Sequence, residues 1–224
     1  MAAKIVKVPS LKEQVYLYLK NAIINSEMTL DTTYSEKWVA DRLEVSRTPV
    51  REAILQLQQE YFVEVLPYKG FRVKKLSLED VRDTFQIRLA LEGFCVINLA
   101  QNRELAEVKK VLLELEDSLE QMEKCSKSKD PNAFVEQDAR FHRAIINYAG
   151  NERLILMYND IRFRFERITL RVLTAHGRMN STILEHRKIF DMMKAGSGWE
   201  AFQAIQVHLQ ETQKIMKLKS EQEQ

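Results

Sequence analysis

Asp138 and His142 lie one helical turn apart inside an apolar stripe made by Phe134, Val135, Phe141, Ile145, Ile146 and Ala149. An unpaired carboxylate is very costly to bury, so Asp138 must have a partner. A carboxylate and an imidazole at this spacing can share a cation. They can equally well hydrogen-bond to each other. Two more of the four histidines sit on apolar faces. His186 joins Ile183, Phe190 and Met193, and His208 joins Ile205, Thr212 and Ile215. Satisfied core histidines would give the same pattern, so spacing leaves both readings open. His176, beside Gly177 in an expected loop, stands apart.

A second group runs from Ser35 to Ile54. Ala40 is small where two helices must approach, and Leu43, Val45, Val50 and Ile54 are apolar where the helices and their turn share a core. The connection from Leu43 to Ser46 allows only a sharp crossing. In a helix-turn-helix the N-terminal end of the second helix enters the major groove. Here that end offers Ser46, Arg47, Thr48 and, one turn later, Arg51. Two guanidiniums on one face suit guanine edges or phosphates. Lys37 on the preceding helix is placed for a phosphate, and Lys69 with Gly70 for the minor groove. The bland alternative is an exposed helix solvated by its arginines.

Arg88 and Glu92 share a further apolar stripe with Val81, Phe85, Cys95 and Leu99, and read first as an intrahelical ion pair. Arg162, Arg164, Arg167 and Arg171 flank the stripe Tyr158, Ile161, Phe165, Ile168 and Val172, and read as a solvated face.

The elements that must position these residues follow from periodicity and caps. A first helix is expected from Leu11 to near Ser26, a second from the cap Ser35 to about Leu43, and a third from the cap Ser46 to about Glu60. The runs 62–66 and 71–73, around Pro67 to Gly70, read as a β-hairpin. This is the order of a winged helix-turn-helix. From the Ser77/Asp80 capping box onward everything reads helical, at about 78–102, 104–124, 131–149, 152–174, 180–195 and 199–219. The fold class expected is mainly α: a winged helix-turn-helix over 1–76 and an all-α helical bundle over 77–224.

Composition agrees. Six Gly and four Pro in 224 residues disfavour turn-rich β folds, and 45% hydrophobic residues suffice for a core. The net charge is only +2. The first 76 residues carry 12 basic against 9 acidic groups, which hints at an anionic partner there. Two cysteines outside any CxxC pair make no disulfide framework. The absence of a signal-like segment and of a long apolar run leads to the expectation of a cytoplasmic protein with no membrane partner.

The run Leu11 to Val15, the run Ser46 to Ala53 and the Lys69–Gly70 wing together resemble the GntR family of bacterial transcription regulators. The helical remainder resembles the effector domain (FCD-like) of its FadR-type branch, so the resemblance covers nearly the whole chain. It implies DNA contacts at Lys37, Ser46, Arg47, Thr48, Arg51 and Gly70. Lys37 stands where the family usually has arginine, Trp38 where it has leucine, and Glu44 where the turn usually has glycine. The resemblance also implies a divalent metal on Asp138, His142, His186 and His208, zinc or nickel being easiest for three imidazoles and a carboxylate. It implies too that Arg88 binds an anionic effector, an organic or sugar acid. The expectation is therefore a ligand-responsive repressor, homodimeric on a pseudo-palindromic operator duplex. No enzymatic activity is expected. A metal-dependent hydrolase using the Asp/His cluster is the competing class, but it places no second acidic residue as general base and leaves the helix-turn-helix without a role.

Overall fold

The computed structural model describes residues 9–24, 27–30, 32–75, 77–173, 175 and 177–222. The expected helix end at Ser26, the boundary residue Leu76 and His176 lie outside them. The chain forms two compact units, 1–76 and 77–224.

In the first unit, α1 (Leu11–Ile24) packs on α3 (Arg47–Gln59) through Val15 and Leu19, which recur at helical spacing and are buried. Helix α2 (Glu36–Leu43) starts where the Ser35 hydroxyl accepts the Trp38 N–H at 3.0 Å, the bond an N-cap should make. Ser46 occupies the cap position of α3 but its side chain makes no capping bond, which leaves the hydroxyl at an exposed helix end. Between them Glu44 is left-handed (φ 54°, ψ 41°), its N–H bonded to the Ala40 carbonyl. A side chain in that region costs about 1–2 kcal/mol. The cost is offset because the sharp reversal lets Val39, Ala40, Val50 and Ile54 share one core.

Strands β2 (Val63–Leu66) and β3 (Gly70–Val73) form the expected hairpin. A third strand, β1 (Thr33–Tyr34), pairs antiparallel with β3, giving the order β1-β3-β2. Sequence reasoning missed it, because two residues establish no period. Its register sets Tyr34 against Phe71, with ring centroids 5.9 Å apart.

The second unit is helical throughout its described residues: α4 (Leu78–Gln101), α5 (Ala106–Ser128), α6 (Pro131–Tyr148), α7 (Glu152–Leu173), α8 (Arg178–Ala195) and α9 (Gly198–Gln222). The Ser77/Asp80 capping box is formed. Asp130 caps α6 through the N–H groups of Asn132 and Ala133, with Pro131 in the first turn, where its missing N–H costs nothing. Helix α5 runs past the expected residue 124 and stops at Lys129, which is left-handed (φ 55°). Helix α4 packs along α9 so closely that a Cβ on Gly93 would lie 2.6 Å from the Phe202 ring.

The α7 arginines correct the sequence reading. Arg162, Arg164 and Arg171 are half-buried, so the four do not form a uniformly solvated face. Arg167 is buried, and burial pulls its guanidinium down to about 10. Helix α7 meets α4, α6, α8 and α9.

Gly70 (φ +111°) is required where it stands, since a Cβ there would lie 2.1 Å from the Tyr34 carbonyl oxygen. Gly70→Ala should therefore lower the stability of the first unit by about 2–4 kcal/mol in denaturant unfolding, by prising β1 from β3. An unchanged midpoint would show that the close approach is not real.

Candidate functional site

Helix α3 and the hairpin of the first unit face a shared groove. Its lining includes Glu36, Lys37, Arg47, Arg51, Lys69 and Gly70. Six of the seven residues expected to meet DNA (Lys37, Ser46, Arg47, Thr48, Arg51 and Lys69) are exposed, and Gly70 is half-buried at the start of β3. Ser46 and Thr48 stand at the N-terminal end of α3, outside the groove lining.

One acidic group breaks this basic surface. The Glu36 carboxylate accepts from Arg47 Nη2 at 3.0 Å, and from Arg51 Nε at 2.9 Å and Nη2 at 3.2 Å. The hydrogen bond from Arg51, aided by Arg47 and opposed by partial burial, holds the Glu36 carboxyl below its ordinary value. Sequence reasoning missed Glu36, because nothing in the spacing of residues 36, 47 and 51 pairs them. Only the helix-turn-helix crossing does.

In the second unit, His142, His186 and His208 converge from α6, α8 and α9, all three buried. Each imidazole is held by its Nδ1. His142 Nδ1 lies 2.7 Å from Glu92 Oε2, His186 Nδ1 lies 2.8 Å from the Thr182 carbonyl, and His208 Nδ1 lies 2.7 Å from Glu185 Oε2. All three partners accept, so each Nδ1 carries a proton, and in the neutral imidazole the lone pair is then on Nε2. The Nε2 atoms of His142 and His186 face each other at 3.0 Å. Without a proton or a cation between them, two lone pairs at that distance repel. Two nitrogens bound to one ion at about 2.0–2.1 Å would sit at about this separation.

Asp138 lies beside two of the three imidazoles. Its Oδ1 is 3.3 Å from His186 Nε2 and has no hydrogen-bond partner although buried, and its Oδ2 is 4.0 Å from His142 Nε2. Asp138 and His142 therefore do not satisfy each other, because His142 is committed to Glu92. The donor set fits a divalent cation: three neutral imidazoles with fixed tautomers and one carboxylate oxygen in need of a partner.

Arg88 donates from Nε to Glu92 Oε1 at 2.7 Å, with both side chains buried. Its guanidinium lies 4.1 Å from the centre of the Phe165 ring. Arg88 Nη2 has no partner, nor do the buried hydroxyls of Thr84, one turn earlier on α4, and Tyr158, whose ring lies 5.2 Å from that of Phe165. Burial and the neighbouring Glu92 charge raise the Tyr158 hydroxyl well above its ordinary value, so it stays a donor. Sequence reasoning placed Tyr158 only in a core stripe.

Residues 11–73 match the family model described as bacterial regulatory proteins, gntR family, and residues 83–211 match the FCD domain. The chain belongs to the GntR family. It is a transcription regulator with an FCD effector domain. It is 26% identical to the HTH-type transcriptional repressor RspR of Escherichia coli over 201 residues, 90% of this chain and 86% of that protein. Identity to the probable D-xylose utilization operon transcriptional repressor of Paenarthrobacter nicotinovorans is 27% over 200 residues, 89% of this chain and 86% of the relative. The fold is shared with solved structures. A GntR regulator from Rhodococcus sp. RHA1 aligns with a TM-score of 0.71 at 20% identity, covering 93% of this chain and 98% of the other. E. coli McbR/YncC aligns at 0.70 and 22%, covering 95% and 100%.

Behind the FCD-domain imidazoles lies a further layer that sequence reasoning also missed. Glu185, which holds His208, is itself held by Arg178 through Nη1 and, at 2.9 Å, Nη2, and Arg178 Nη2 also reaches Thr212 Oγ1 at 3.0 Å. Burial works to raise the Glu185 carboxyl, but the hydrogen bonds from His208 and Arg178 outweigh it and hold the group at about 2. Burial, and then the charge of its histidine neighbour His186, pushes His208 down to about 4. His142 is pushed well below 6.5, first by burial and then by Arg88. No helix among the described residues is long and apolar enough to cross a membrane.

The His208 shift fixes an acid sensitivity. The folded state holds the imidazole neutral, whereas the unfolded chain takes up its proton near pH 6.5, so stability falls as pH drops from about 6.5 toward 4. Metal-stripped protein should be on the order of 2 kcal/mol less stable to urea at pH 5 than at pH 7. The expected control is a shallower pH dependence in His208→Gln. Equal slopes in the two proteins would refute the assignment.

Proposed function

We propose that this regulator acts as a cytoplasmic homodimeric repressor on a pseudo-palindromic operator duplex, released or recruited by a small anionic metabolite. Lys37, Ser46, Arg47, Thr48, Arg51, Lys69 and Gly70 meet the DNA. Asp138, His142, His186 and His208 hold one divalent cation, zinc or nickel, and Arg88 receives the carboxylate of the effector. The observation that carries the sensing half is the convergence of three Nε2 lone pairs, with every Nδ1 pinned, beside an orphaned carboxylate oxygen.

When bound, the ion supplies a positive, Lewis-acidic centre. The charge balance supports one class of effector. A divalent ion, one Asp and three neutral histidines leave +1, and Glu92 faces in and cancels Arg88. A net +1 suits a monoanion. Arg88 Nη2, Tyr158 and Thr84 add unpartnered polar groups, which suits a carboxylate that carries hydroxyls. No observation favours a hydrolase: Glu92 and Glu185, the carboxylates that hold His142 and His208, are both committed to imidazole N–H groups and arginines.

His186→Ala combined with His208→Ala should abolish stoichiometric zinc or nickel in desalted protein, and with it any effector response, while DNA binding by the other unit persists. Retention of metal by the double variant would dismiss this ligand set. Arg47→Ala should cost about 1–3 kcal/mol in operator affinity and relax one base position, whereas Lys37→Ala should weaken all duplexes evenly and lower the salt slope. Undiminished affinity in an Arg47→Ala, Arg51→Ala protein, read by fluorescence anisotropy, would remove α3 from the interface.

A further inference from the structure

A carboxylate in the middle of a DNA-facing surface opposes binding to a polyanion, yet Glu36 sits there and touches both arginines of the entering face. Its side chain is 21% exposed, against 64% for Arg47 and 63% for Arg51, so it lies beneath guanidiniums that remain open to solvent. The contacts are directional. On Arg51, Glu36 occupies the Nε–Nη2 edge, which leaves the Nη1–Nη2 edge of the fork free. On Arg47 it takes one N–H of Nη2 and leaves the remainder. Each guanidinium has five N–H donors in a fixed plane, so each can hold the carboxylate and still present donors outward.

We propose that Glu36 is a specificity-setting positioning residue, which locks Arg47 and Arg51 into one rigid unit of net charge +1 and so biases them toward base edges over phosphates. This rests on the reading of α3 as the DNA-entering helix. Two physical effects act together. A guanidinium held in one orientation loses less freedom when it forks onto guanine O6 and N7, which rewards the correct base. A guanidinium already paired with a carboxylate gains less from a phosphate, because the nearby negative charge of Glu36 repels the phosphate and offsets part of the attraction. Affinity for arbitrary sequence, which is carried by phosphate contacts and counterion release, is therefore held down. Specificity arises as a difference between these two affinities.

The test uses the full-length protein and two probes: a duplex enriched by the wild-type protein from a random pool, and a scrambled duplex of the same composition. Glu36→Gln keeps the shape and removes the charge. It should bind the scrambled duplex about fivefold more tightly, and its log K against log salt slope on that duplex should steepen by about 0.9, the increment for one added phosphate contact. The ratio of selected to scrambled affinity should fall. Glu36→Asp keeps the charge on a shorter stem. It should retain the wild-type slope while losing affinity for the selected duplex. Circular dichroism melts of both variants report that the unit is folded.

An unchanged slope and unchanged scrambled affinity in folded Glu36→Gln would overturn the proposal. So would a loss of selected-duplex affinity alone, which would make Glu36 a direct reader of a base. If neither the wild type nor the variant binds any duplex at low salt, the DNA reading of α3 itself fails and the proposal falls with it.

Discussion

The second unit depends on one constraint: ionisable groups buried among helices must hold one another. His142, Glu92 and Arg88 form a single hydrogen-bonded row, and His208, Glu185, Arg178 and Thr212 form another. An isolated charge in such an interior costs several kcal/mol, and removing one partner leaves the other stranded. Each row therefore fixes the rotation and axial position of the helices that supply it. Helices α4 and α6 are joined by the first, and α8 and α9 by the second. The apolar stripes bring the helices together, but they tolerate sliding. The polar rows do not.

The same rows set the chemistry. They accept the Nδ1 hydrogen bonds of His142 and His208, as the Thr182 carbonyl does for His186, so three Nε2 atoms point at one place, and burial lowers the pKa of His142 and His208. Imidazoles held in this way would lose little on capturing a cation, because their orientation is already chosen. Without a cation, the facing Nε2 atoms of His142 and His186 and the buried Asp138 Oδ1 are left poorly satisfied. Polar atoms left unpaired inside a well-packed core mark the place where the fold gives up stability for function.

The first unit shows a related bargain at its surface. Glu44 and Gly70 both take left-handed backbone, one to turn α2 into α3 and the other to bring the hairpin against Tyr34. Those two local strains set where Lys37, Arg47, Arg51 and Lys69 stand around one groove. Glu36 then fixes how two of the four point. A basic surface is common and binds DNA without discrimination, so the placement of a single negative charge carries more information than the positive ones around it.

Much of this was legible in the residues. The 3.6-residue apolar period gave all nine helices among the described residues, because burying one face is enough to specify a helix regardless of its partner. Caps at Ser35, Ser77 and Asp130 marked where three of them begin, since a cap needs only neighbours three residues away. His186 and His208 could be singled out because an imidazole on an apolar face is conspicuous. Local pattern did not reach β1, whose two residues are a strand only because β3 lies beside them. Nor did it reach the burial of Arg167 or the partners of the histidines. Glu92 with His142, Glu185 with His208, and Glu36 with Arg47 and Arg51 are pairs from different helices, and in sequence a glutamate on a helix looks the same whether it meets water or an imidazole. Sequence determined which helices exist and which residues are out of place on them. Tertiary packing alone decided which of those residues meet, because the registry between helices depends on every contact along their length at once.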